Sequence, residues 1–171
     1  MKKPFLILLL AFMASFTAFA GVPAPPSPLY TTDPIFLANE LQIDIFGTHA
    51  TTDINSLEGW GGGLGVNYFF TETLGLGVEG AYDGDNWSTA ANVIMRAPIE
   101  ALSIAPYVFG GIGWQFPDIS GFDASDFEYH VGAGVDWRWT DTLGAFADWR
   151  YIFGDELPDT QELRIGLRAV F

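Results

Sequence analysis

FEYHVGAGVDWRWT, residues 127–140, separates cleanly into two faces. Side chains alternate across a β-strand, so Phe127, Tyr129, Val131, Ala133, Val135, Trp137 and Trp139 share one side. Glu128, His130, Gly132, Gly134, Asp136 and Arg138 share the other. The apolar face has aromatics at both ends and small aliphatics between them. That is the layout of a strand crossing a bilayer between two interfacial girdles. The polar face carries both signs of charge, as an ion-paired or wet interior requires. A soluble barrel has the opposite arrangement, so this strand reads as turned inside out.

The rest of the chain is consistent with a membrane-embedded sheet. At 171 residues it is expected to form one domain. Residues 1–20, MKKPFLILLLAFMASFTAFA, have a basic start at Lys2 and Lys3, an apolar run and an Ala18-Phe19-Ala20 cleavage pattern, so they read as a secretory signal. The apolar run is short for a bilayer-spanning helix, which needs about 20 residues. No cysteine is present, which excludes a lipoprotein anchor and a disulfide framework. Loss of the two lysines takes the formal charge from -14 to -16. Such a chain is repelled by nucleic acid, and nucleic-acid binding is rejected. Residues 21–39 are rich in Pro, Ser and Thr and read as an extended arm. A plug or cap at Phe36-Leu37 is the lesser alternative.

From Glu40 to Phe171 the pattern is strand and turn. Strands are expected near Leu41–Gly47, Gly59–Phe70, Leu74–Tyr82, Thr89–Ala97, Leu102–Gln115, the opening stretch, Leu143–Phe153 and Gln161–Phe171. Eight strands of about nine to eleven residues match a tilted bilayer crossing. Closure is then obligatory, because an open edge in lipid strands unpaired backbone groups. Connections alternate between tight turns (71–73, 98–101, 140–142) and longer loops (49–58, 83–88, 116–126, 154–160). GLGVNYFFTETLG, residues 63–75, is echoed by GAGVDWRWTDTLG, residues 132–144, half a ring of eight strands away. The expected fold is all-β: a closed, antiparallel, eight-stranded transmembrane barrel with short periplasmic turns and longer external loops.

On this pattern the segment 40–171 resembles the small eight-stranded outer-membrane barrels of Gram-negative bacteria, the group of OmpA, OmpX and the opacity proteins. The C-terminal RIGLRAVF looks like that group's assembly signal, through Arg164, Gly166, Ala169 and Phe171. The resemblance implies a location in the outer membrane. It also implies outer-membrane lipids, lipopolysaccharide and the barrel-assembly machinery as partners, and a monomer. No wall-binding domain follows, so wall anchoring is not expected. Fold does not fix function in this group.

Candidate sites fall on the inner face. Asp44, Glu79, Arg96, Glu128, His130, Asp136, Arg138, Asp148, Arg150, Glu162, Arg164 and Arg168 all point there. An eight-stranded barrel is just wide enough to be filled by side chains, and buried charges must pair. The expected result is an ion-pair network closing the lumen; a narrow gated pore is the alternative. His130 is expected as a hydrogen-bonded lumen histidine, with a pH gate or a metal ligand as the other readings. Trp60, Tyr68, Phe70, Tyr82, Trp114, Phe127, Tyr129, Trp137, Trp139, Trp149, Tyr151 and Phe153 form the expected aromatic girdles. No cofactor or metal is expected. A lipid-modifying enzyme is disfavoured because no serine shares a strand with His130. A soluble, lipocalin-like carrier is disfavoured because the aromatic face would meet water. The acidic loops read as a solvated rim, with adhesion through residues 116–126 or divalent-cation binding as alternatives. The role expected from the whole is structural or surface-interactive: membrane integrity or adhesion.

Overall fold

The computed structural model describes residues 34–52, 59–83, 86–117, 126–154 and 159–171. The proposed signal and most of the arm, residues 1–33, lie outside the described residues, as do residues 53–58, 84–85, 118–125 and 155–158. Eight strands follow one another: β1 (Glu40–Thr52), β2 (Gly59–Phe69), β3 (Leu74–Tyr82), β4 (Asn86–Arg96), β5 (Ile104–Pro117), β6 (Asp126–Arg138), β7 (Leu143–Gly154) and β8 (Thr160–Val170). Each pairs antiparallel with the next, and β8 pairs with β1 to close the barrel.

The register fixes the barrel's shape. Directly opposed residues run from Glu40 through Phe69, Gly75, Ile94, Phe109, Gly132, Arg150 and Glu162, and return to β1 at Ala50. One circuit therefore advances ten residues along β1, from 40 to 50. With about 3.3 Å per residue and 4.8 Å between strands, eight strands at that stagger tilt by about 40° on a backbone radius of about 8 Å. Such a cylinder leaves an interior that side chains fill.

The outer surface is apolar around its middle. Ile45, Leu64, Val78, Ile165 and Leu167 are all more than half exposed. Side chains of that kind are stable only against lipid or a partner. Inside, each large phenylalanine lies against a glycine directly opposite on the next strand: Phe46 with Gly63, Phe69 with Gly75, Phe109 with Gly132, Phe146 with Gly166. The pairing is steric. A Cβ on Gly166 would lie 2.5 Å from Phe146 Cε1 and 2.6 Å from the Ile45 carbonyl oxygen. A bare strand surface beneath each ring lets a narrow interior hold large side chains.

The echoed hairpins also share their turn chemistry. Thr71 Oγ1 accepts from the Thr73 and Leu74 amides at 3.2 and 2.9 Å, and Thr140 Oγ1 accepts from Thr142 and Leu143 at 3.3 and 3.0 Å. Several boundaries differ from the sequence reading. β1 runs on to Thr52 and β4 begins at Asn86, so the long connections start later or end earlier than expected. β5 begins at Ile104 because Glu100–Leu102 form one 3-10 turn. Ser103 ends that turn in the left-handed region, φ 54°, its amide donating to the Glu100 carbonyl at 3.1 Å. A polar residue tolerates that backbone better than a branched one.

Candidate functional site

The polar side chains of the eight strands converge in the lumen as two separate chains of ion pairs. The first lies toward the end with the short turns. Arg96 and Arg138 both reach Glu40 Oε1, at 2.9 and 2.6 Å. Arg138 also holds Asp136, two residues back on its own strand, at 3.0 Å. Arg168 takes the other side of Asp136 at 2.8 Å and clasps Asp44 through two bonds of 2.7 Å. Three guanidiniums and three carboxylates thus cancel.

The second chain runs toward the long-loop end. Arg164 clasps Asp148 at 2.7 and 3.0 Å and reaches Glu79 at 2.6 Å. Arg150 takes the other oxygen of Glu79 at 2.5 Å and bonds Glu162 at 2.6 Å. Forked guanidinium–carboxylate contacts of this kind are the strong, geometrically specific ones. Neutral groups complete the shell. Asn67 donates to Asp44 at 2.8 Å, Tyr107 to Asp148 at 2.5 Å, and Thr48 to Glu162.

Aromatic rings and guanidiniums interleave. Arg96 lies 3.8 Å over Phe69, Arg168 lies 4.7 Å over Phe146, and Arg164 lies between Phe46 and Phe109 at 5.2 and 5.1 Å. The rings opposite the glycines therefore serve twice, as filling and as a face for cations. Between the two chains remains a cavity of about 20 Å³ beside Asp44, Asn67, Tyr107, Asp148, Arg164 and Arg168. That is room for about one water molecule.

All twelve residues expected on the lumen face are there, eleven buried and Glu79 partly so. His130 is buried, with Nε2 2.6 Å from Asn92 Oδ1. Glu128 takes a bond from Gln115 and no guanidinium among the described residues. The sequence reading missed Glu40, which ties two arginines together. Starting the first strand at Leu41 cut it off, although Glu40, Gln42 and Asp44 share one parity and Gln42 donates to Glu40 at 2.5 Å.

Phe36 was also underweighted. In place of a free arm, residues 34–39 lie against the short-turn end of the barrel. The Phe36 ring is fully buried, with the Arg96 and Arg138 guanidiniums 5.1 and 4.9 Å from its centre. The Ile35 amide donates to Glu100 at 2.9 Å, and Arg96 reaches the Leu37 carbonyl at 3.1 Å. Asn39, at φ 61°, makes the bend that returns the chain into β1.

Of the expected girdle, Trp60, Tyr68, Phe70, Tyr82, Trp114, Phe127, Tyr129, Trp137, Trp139 and Trp149 are exposed, and Tyr151 and Phe153 are half-buried. Trp149 stands in the middle of β7, between the two belts. The reading omitted Trp87, which packs on Tyr82 at 4.9 Å, because it started β4 three residues late. At the C-terminus, Arg164 and Gly166 face inward and Ala169 faces outward. Phe171 exchanges backbone bonds with Leu41 at 2.9 and 3.0 Å, sealing β8 to β1. Among the loop acids, Asp53, Asp85, Asp118, Asp123, Asp155 and Glu156 lie outside the described residues.

The family model described as outer membrane protein beta-barrel domain matches residues 6–171. No curated protein matches the sequence. Among solved structures, the N-terminal β-barrel domain of Pseudomonas aeruginosa OprF superposes with a TM-score of 0.66 at 20% identity, over 78% of this chain and 98% of that one. Neisserial surface protein A gives 0.58 at 18% identity, over 76% and 95%. The attachment invasion locus protein Ail of Yersinia pestis gives 0.56 at 16% identity, over 79% and 100%. At these identities the likeness is one of fold.

Proposed function

This chain belongs to the outer-membrane β-barrel domain family, and on that premise we propose that it is a barrel of structural or surface-interactive role whose lumen is closed. The observation that carries the closed lumen is the pairing of all five mature arginines inside the barrel, around a cavity with room for about one water. Opening a path would separate charges that have no water to replace their partners, at several kcal/mol for each one stranded. Function then falls to the outer ends of the strands and their loops. Contact with other surfaces or membrane integrity is the role that suits them. A neighbour named for attachment is consistent with this.

The remaining features follow the same reading. Residues 1–20 direct export and are cleaved, and the Pro-rich segment that follows is periplasmic, its described residues 34–39 carrying the Phe36 seat. The barrel is a monomer in the outer membrane of a Gram-negative bacterium, in contact with phospholipid and lipopolysaccharide, and it is inserted by the assembly machinery. A non-enzymatic role suits the lumen, where His130 is held by Asn92.

The test is conductance of the refolded protein in planar bilayers, after unheated and boiled samples have been shown to migrate differently in electrophoresis. A heat-shifted band without conductance steps is the expected result. Steady unitary steps would replace the closed lumen with a narrow pore.

A further inference from the structure

One buried carboxylate stands outside both chains of ion pairs. Six inward acids, Glu40, Asp44, Glu79, Asp136, Asp148 and Glu162, each meet a guanidinium. Glu128 meets none among the described residues. Among the described residues its ionisable contact is His130, whose Nδ1 lies 3.9 Å from Glu128 Oε1. Both residues are 1% exposed.

The hydrogen bonds around the couple define what is missing. Gln115 Nε2 donates to Glu128 Oε2, leaving Oε1 without a partner among the described residues. His130 Nε2 faces Asn92 Oδ1 at 2.6 Å, and Nδ1 is without a hydrogen-bond partner among the described residues. An amide oxygen only accepts, so Nε2 carries the hydrogen. A neutral imidazole then turns its Nδ1 lone pair toward the lone pairs of an ionised carboxylate, with both atoms out of water. Two unpartnered acceptors face to face in a dry site are strongly disfavoured, and an unpaired buried charge more so.

A single hydrogen resolves both faults. We propose that Glu128 and His130 together bind one proton, forming a buried proton site at the long-loop end of the lumen. Placed on Nδ1 it makes an imidazolium–carboxylate pair; placed on Oε1 it makes a carboxylic acid donating to imidazole. Either arrangement is neutral overall.

The neighbouring carboxylates Glu79 and Glu162 favour retention of the proton, and the guanidiniums of Arg150 and Arg164 act against it. The charged groups that act on the couple are Arg150 from β7, Arg164 and Glu162 from β8, and Glu79 from β3. Both arginines are already engaged with Glu79, and Arg150 also with Glu162. An ionised, unpaired Glu128 would be a further anion competing for Arg150. A metal ion is a poorer occupant, because no group of three or more ligating side chains exists among the described residues.

The test is proton uptake on folding, measured by urea unfolding in phospholipid vesicles between about pH 7 and 9. In that range the unfolded chain has an ionised Glu128 and a neutral His130, while the folded chain holds one proton more. Stability therefore falls as pH rises, by about tenfold in the unfolding constant per pH unit relative to Glu128→Gln, which binds no proton there. Parallel pH dependences in the two proteins overturn the proposal. Should Glu128→Gln fail to fold, the wild-type protein decides alone in detergent micelles at about pH 8. Either an imidazolium ¹⁵N signature at His130 or a protonated-carboxyl infrared band from ¹³C-labelled glutamate is expected. A neutral imidazole together with fully ionised glutamate refutes it.

Discussion

Arg168→Ala should cost far more stability than Arg138→Ala, although both remove a buried guanidinium from the same chain of ion pairs. The difference lies in what each leaves behind. Arg138 shares its partners: without it, Glu40 keeps Arg96 at 2.9 Å and Asp136 keeps Arg168 at 2.8 Å. No carboxylate is abandoned, and the loss is of packing, two ion pairs and the contact with the Phe36 ring, about 1–3 kcal/mol. Arg168 is the only guanidinium on Asp44, which it holds through two bonds of 2.7 Å. Removing it leaves a buried carboxylate with Asn67 alone, and stranding a buried charge costs about 3–5 kcal/mol. The double variant Asp44→Asn with Arg168→Met removes charge and counter-charge together and should recover most of that loss. Urea unfolding in lipid vesicles, followed by the fluorescence of the outward-facing tryptophans, measures all three. Equal costs for the two alanine variants, or a double variant no better than Arg168→Ala, would refute the assignment of partners.

Other substitutions probe the walls and the ends. Gly166→Ala puts a methyl group 2.5 Å from the Phe146 ring and 2.6 Å from a backbone oxygen, and should destabilise the barrel by about 1–3 kcal/mol. Gly65→Ala meets nothing nearer than 3.6 Å and should be tolerated; comparison of their urea midpoints checks the contrast. Val78→Arg places a cation on the lipid face of β3 and should cost about 2–4 kcal/mol in bilayers if that face lies near the midplane. Phe36→Ala should lower stability by about 3–5 kcal/mol, whereas Leu37→Ala, on an exposed side chain, should change it little.

The parity of the strands was legible because lipid and lumen impose opposite chemistry on alternate residues. FEYHVGAGVDWRWT shows both faces within one strand, and every arginine after the first 20 residues has the parity of the lumen face. Strand ends were harder to place. Beyond the bilayer edge the lipid face need no longer be apolar, so the alternation fades where β1 continues through His49 and Thr51 and where β4 begins. The partners of each charge were not legible at all. Pairs such as Arg168 with Asp44 and Arg150 with Glu79 join residues 124 and 71 positions apart, and the stagger of the ring decides them. Phe36 carried no periodic signal, because a residue on a bent segment before the first strand belongs to neither face.

The glycines connect these observations. On a soluble sheet a glycine-rich face would be weak, since it offers nothing to pack. Here several inward glycines lie directly opposite a large inward side chain: Phe46, Phe69, Phe109 and Phe146, and likewise Arg138 opposite Gly144 and Arg150 opposite Gly132. Arg138, Arg150 and Arg168 each have a glycine directly opposite on one neighbouring strand, which leaves their side chains room to extend across the lumen. Those glycines make room for three of the five paired arginines, and the ion pairs in turn stabilise a polar interior. The same pairing predicts where the design is weakest. Glu128 lies opposite Gly113 and Gly154 and has the space its partners give, yet no guanidinium reaches it. A charge provided with room and no counter-charge is stable only if it is neutralised where it stands, and the imidazole of His130 is the group beside it that can share a proton.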